Sequence, residues 1–218
     1  MNTTRTAAWA FTAGPVLFLT GEAISAAAWQ TPSYSYLTNW ISDLGVPDAG
    51  TFQGRQIDSP LHLVMNTGFV LGGIAFLIGV LLLARTLSGR ARRSARILGI
   101  ITAAGYILVG AFHTSTAAMS DGTIGLHFAG AFLVILGGNI LAIILGIHWW
   151  KHSVTRGLGH ASAALGALGL VAVIVLAFTA TSDAPNGLIE RVAVYTILLW
   201  QLRVALHLKT QPSTSNIT

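Results

Sequence analysis

The sequence predicts an all-α fold: a polytopic membrane helix bundle of six transmembrane helices, with a short interfacial helix in the first outer loop. Three observations predict it. Six apolar runs of about twenty residues recur along the 218-residue chain, and a helix rising about 1.5 Å per residue needs about that length to cross 30 Å of hydrocarbon. Only 9% of the residues are charged, far below the roughly 25% of a soluble domain, so the chain is too poor in charge to clothe a surface in water. Lys and Arg gather at one end of the runs and Asp and Glu at the other, which is the pattern of membrane topology.

The spans fall at about 7–29, 61–83, 97–115, 126–149, 159–180 and 188–208, within one domain over 1–210. Residues 30–60 form an outer loop and 211–218 a polar cytoplasmic tail. Helices are required because lipid offers the backbone no water, and no segment shows the ten-residue alternation of a membrane barrel. Arg5, the first apolar run and "AISAAA" (Ala23–Ala28) also resemble a signal peptide, whose cleavage would leave five spans. The run to Trp29 is long for a signal, so the first helix is read as retained.

The second span follows Pro60 and opens with Leu61-His62. Arg85, Arg90, Arg92, Arg93 and Arg96 separate it from the third; Lys151, His152 and Arg156 separate the fourth from the fifth. Arg5, Arg203 and Lys209 lie on the same side. By the positive-inside rule both termini are cytoplasmic, in a multi-pass protein of the plasma membrane. All seven acidic residues lie at the opposite ends, where Arg55 and Arg191 are the exceptions. The net charge of +5 therefore reports topology and attraction to anionic lipid, not nucleic-acid binding. The chain has no cysteine, which excludes disulfides, thiolate metal sites and a cysteine nucleophile.

Spans two and four echo each other: "LHLVMNTGFVLGG" (Leu61–Gly73) aligns with "LHFAGAFLVILGG" (Leu126–Gly138), and span six opens with Glu190-Arg191 where these have Leu-His. Polar side chains thus mark the outer ends of several spans. Glu22, His62, His113, His127, Glu190 and Arg191 all fall on the outward half, where ionisable groups in spans are costly and therefore informative. In "YLTNWISDLG" (Tyr36–Gly45), Leu37, Trp40, Ile41 and Leu44 are spaced to share one helical face and Asn39, Ser42 and Asp43 the other. This predicts an amphipathic helix over 35–44, ended by Gly45 and Pro47, lying in the interface and closing over the polar ring as a lid.

"NWISDLG" after a first span, "FH" and "GLH" bridging spans three and four, and six short helices resemble the DUF998 family of bacterial and archaeal membrane proteins. The resemblance covers roughly Phe18 to His148. It implies the six-helix architecture and the importance of Ser42, Asp43, Gly45 and His127, and no particular activity. Many members carry Pro after the Phe, where this chain has His113, so no role for His113 carries over.

Three functional readings meet these residues. In the first, the protein is an accessory or packing subunit, or holds a lipid or other amphiphile in an outward pocket made from Glu22, Asn39, Ser42, Asp43, His62, His113, His127, Glu190 and Arg191. Membrane lipids, a homo-oligomer or a larger membrane complex are its expected partners. In the second, it is a metal-dependent intramembrane hydrolase: His62, His113, His127 and Asp43 are the metal candidates, Ser42, Asp43 and His127 the catalytic ones, and zinc the cofactor the set would accept. The set loosely resembles that of the membrane ceramidase-like hydrolases, but has no His-x-x-x-His pair and six spans instead of seven. In the third it is a transporter, for which no span broken by Gly and Pro speaks. The sequence leaves enzyme or non-enzyme open. For Glu22 and Arg191, a buried ion pair that fixes packing is the simpler reading. The two outcomes differ in geometry: catalysis requires His127 and Asp43 to converge, whereas packing leaves them apart with Glu22 on Arg191.

Overall fold

A computed structural model describes residues 3–210; the tail expected at 211–218 lies outside the described residues. The described residues form seven α-helices: α1 (Thr3–Ala28), α2 (His62–Leu83), α3 (Gly89–Ala111), α4 (Thr116–Asp121), α5 (Ile124–Trp150), α6 (Arg156–Thr179) and α7 (Asn186–Thr210). All but α4 are long and apolar enough to cross a membrane. The bounds agree with the predicted spans to within a turn, except at α3. That helix runs back through Arg90, Arg92, Arg93 and Arg96, expected in a loop, and ends at Ala111, so His113 falls outside it.

Consecutive long helices pack against each other, and α7 returns to pack against α1, closing the ring. The α5 helix also touches α7, leaving α6 at the outer edge with Leu168, Val171, Ile174 and Phe178 exposed. Edge-to-face pairs of Phe11 with Trp200 and of Phe18 with Phe69 fill the centre. The α3–α5 seam is closer than side chains would permit. A Cβ on Gly105 would stand 2.6 Å from the Gly130 carbonyl oxygen, so glycine at both positions lets the two backbones touch. Asn139, buried in α5, donates to the Ala193 carbonyl of α7 at 3.0 Å and accepts from Thr196 at 2.9 Å.

The acidic end carries the irregular structure. The predicted helix over 35–44 does not form: turns lead into a single 3-10 turn, Ser42–Gly45. Its amides and carbonyls have been drawn to other partners, the usual way Asn, Asp and Glu side chains compete with a helix. Asn39 Oδ1 accepts from the Ser35 amide, Asp43 Oδ2 from the Trp40 amide, and Glu190 Oε2 from the Ile41 amide. The faces differ from expectation too. Leu37 is exposed, whereas Ser42 and Asp43 are buried beside Ile41 and Leu44.

A two-stranded antiparallel hairpin follows, β1 (Gly50–Phe52) and β2 (Arg55–Ile57). Gln53 and Gly54 turn it with φ of 47° and 78°, the twist that two-residue hairpin loops require. Helix α4 starts on Ser115, whose hydroxyl accepts from the Ala118 amide, and stops at Gly122 with φ of 81°.

Candidate functional site

The segment from Tyr34 to Gly45 forms a cap over the acidic end of the bundle, and α7 holds it. Arg191 does most of this. Its Nε and Nη2 reach Glu22 Oε1 on α1, both at 2.9 Å, and Nη1 donates to the carbonyls of Tyr36, Asn39 and Gly187 at 2.8–2.9 Å. Nη2 also donates to the Tyr34 hydroxyl. Tyr195 donates to the second Glu22 oxygen at 2.7 Å. Burial raises the Tyr34 hydroxyl well above the ordinary phenol range, although the adjacent guanidinium acts the other way. It therefore stays protonated and donates to the Trp40 carbonyl at 2.8 Å.

A second pair fixes the far side of the cap. Arg55, placed by the hairpin, meets Asp43 through Nε at 2.9 Å and Nη2 at 3.0 Å, a two-pronged contact on a carboxylate with no solvent exposure. The guanidinium also lies over the Trp40 ring, 5.2 Å from its centroid. Ser59 and Asn66 complete the attachment by donating to the carbonyls of Leu44 and Gly45.

Beneath Ile41 and Ser42 lies a cavity of about 40 Å³ at the bundle axis, reached by α1, α2, α3, α5 and α7. Its walls are mostly apolar: Phe18 and Phe69, Val109 of α3, and Ala131, Val134 and Ile135 of α5. Ser42, Tyr106, His127 and Glu190 supply the polar groups. The Tyr106 hydroxyl is buried without a hydrogen-bond partner among the described residues. His127 is oriented by its Nδ1, 2.7 Å from the Phe112 carbonyl oxygen, and so carries the proton there.

The expected ring of residues therefore does not stay together. Ser42, His127 and Glu190 meet at the cavity. Glu22 and Arg191 pair with each other, and Asn39 contributes its carbonyl to that pair. Asp43 faces Arg55, while His62 stands at the start of α2 with Nδ1 3.2 Å from the Ser59 carbonyl. His113 Nδ1 is buried without a partner among the described residues, and His113 does not line this cavity. Among the described residues no three His, Asp or Glu side chains are placed to hold a metal ion, so His62, His113, His127 and Asp43, the candidates for a possible zinc, are not gathered at one point.

A family model described as "Protein of unknown function (DUF998)" matches residues 12–207. The chain belongs to the DUF998 family. The match reaches past the Phe18–His148 stretch that carries the resemblance in sequence and takes in α6 and most of α7. In this DUF998 protein the Ser-Asp-Leu-Gly segment is the 3-10 turn that roofs the cavity and receives Arg55. No curated protein and no solved structure matches the chain. Sequence reasoning missed Tyr106, Tyr34 and Tyr195, whose aromatic character in apolar helices or beside a span is ordinary. Arg55 carried a readable signal, as one of two cations at the acidic end.

Proposed function

We propose that this DUF998 protein is a plasma-membrane protein, with cytoplasmic termini and an outward cap, that binds the polar end of a lipid or other amphiphile in the cavity under Ile41 and Ser42. The single observation that carries the reading is the lining of that cavity: apolar and aromatic walls with Ser42, His127, Glu190 and Tyr106, whose hydroxyl has no partner among the described residues. Small-molecule sites share this mixed lining, and about 40 Å³ admits a polar end rather than a whole molecule. The orientation rests on the exposed arginines of the α2–α3 turn and the start of α3.

The hydrolase reading finds less support. Asp43 is committed to Arg55, and the Nδ1 of His127 to a backbone carbonyl, so neither acts on the other as base and orienting carboxylate. Small residues that could pack against a partner subunit are used within this bundle: Gly137 lies against Thr102, Gly138 against Ile197 and Gly166 against the Asn139 carbonyl.

The test compares lipid extracts of the purified wild type with those of Ala131→Phe, which places a ring in the cavity. The expected result is an amphiphile retained near one per wild-type chain and lost from a variant with normal thermal unfolding. Identical extracts from both proteins would remove the cavity from consideration as its site.

A further inference from the structure

The buried charges at the capped end do not balance. Three buried carboxyl groups lie there, those of Glu22, Asp43 and Glu190, with one buried guanidinium, that of Arg191, and one half-buried, that of Arg55. Arg191 pairs with Glu22 and Arg55 with Asp43. Among the described residues no basic side chain forms an ion pair with Glu190, which is 9% exposed and lines the cavity. Arg191, its neighbour in sequence, gives its donors to Glu22, Tyr34 and three carbonyls. A buried carboxylate is costly without a countercharge, and among the described residues the one hydrogen bond to the Glu190 side chain comes from the Ile41 amide to Oε2.

The geometry points to a protonated organic amine as the group the cavity takes, with Glu190 as its counter-ion; this rests on the amphiphile reading above and narrows it. Size agrees, since about 40 Å³ has room for roughly three waters or one compact ammonium. The chemistry of the wall agrees as well. An ammonium is a donor with three hydrogens, and Glu190, Ser42 and Tyr106, all residues with acceptor oxygens, line the same cavity. Phe18, Phe69 and Tyr106 add aromatic rings, whose faces attract cations. A carboxylate or phosphate headgroup would instead meet Glu190 with no free guanidinium to offset it.

The test uses the full chain in lipid nanodiscs and three probes of equal length: decylamine, decanol and decanoate, each titrated calorimetrically against empty nanodiscs. Decylamine should bind saturably and about tenfold tighter than decanol, because a charge-assisted hydrogen bond replaces a neutral one. Decanoate should show no saturable heat. Glu190→Gln keeps an oxygen for the Ile41 amide, and should bring decylamine down to the affinity of decanol. Equal affinity for decylamine and decanol in the wild type would overturn the amine assignment while leaving an amphiphile site in place. Saturable binding of none of the three would overturn both. The wild-type comparison decides the matter even if Glu190→Gln does not fold.

Discussion

The Arg191 guanidinium of α7 and the Glu22 carboxylate of α1 meet at 2.9 Å, both almost wholly buried, at the seam where the last helix closes on the first. Removing one partner of such a pair leaves the other as an uncompensated buried charge, at a cost of about 3–5 kcal/mol. Arg191→Leu should approach that loss, because Glu22 is stranded and the carbonyls of Tyr36 and Asn39 lose their donor together. Glu22→Gln should cost less, since an amide oxygen still accepts from Arg191. Thermal unfolding in detergent ranks the two, and equal losses would contradict the assignment of Arg191 as the anchor of the cap.

Asp43 serves its own cap as well as Arg55, accepting from the Trp40 amide at 2.9 Å. Asp43→Ala should therefore free a backbone amide and a guanidinium at once, a loss of roughly 1–3 kcal/mol by the cost of unsatisfied groups. The expected result is faster hydrogen exchange across residues 38–46, with α3 and α5 unchanged. Uniform acceleration through the bundle would mean that the cap is not a separable unit.

The α3–α5 seam predicts opposite outcomes for two Gly→Ala changes. At Gly105 the new methyl meets backbone at 2.6 Å, so the helices must part, at about 1–3 kcal/mol for overpacking. At Gly125 nothing lies within 4 Å of the added carbon, and Ala should stabilise α5 by up to about 1 kcal/mol. Melting temperatures of the two variants check the sign of each.

Topology can be read directly because the chain has no cysteine. Thr51→Cys in the hairpin and Ser88→Cys in the α2–α3 turn are both at exposed positions. In intact cells a membrane-impermeant maleimide should label the first and not the second. The reverse labelling would invert the proposed orientation.

Most of the fold was legible because the spans are a matter of length and hydropathy, and a bilayer admits few alternatives. The cap was not. Its i, i+3, i+4, i+7 pattern at Leu37, Trp40, Ile41 and Leu44 is a helix signal, but periodicity cannot weigh an amide captured by Glu190, 149 residues away. The hairpin escaped for a different reason: strands of three residues carry no measurable alternation, and Gln53-Gly54 is a weak form of the turn signal. At the site, Ser42 and His127 were nameable from the family motif, and Glu190 from its cost in a span. Tyr106 was not, since an aromatic in an apolar helix says nothing of where its hydroxyl ends. Arg55 and Arg191, the two breaks in the charge rule, are the two cations in ion pairs with buried carboxylates among the described residues.

The closed ring also sets a schedule for synthesis. Glu22 emerges 169 residues before Arg191, a delay of roughly 8–34 s at about 5–20 residues per second. Through that interval Glu22 is present without Arg191, the guanidinium that it pairs with in the folded protein. Every chain cut short before the final helix lacks the anchor of its own roof, so an unpaired Glu22 is a chemical mark of unfinished product.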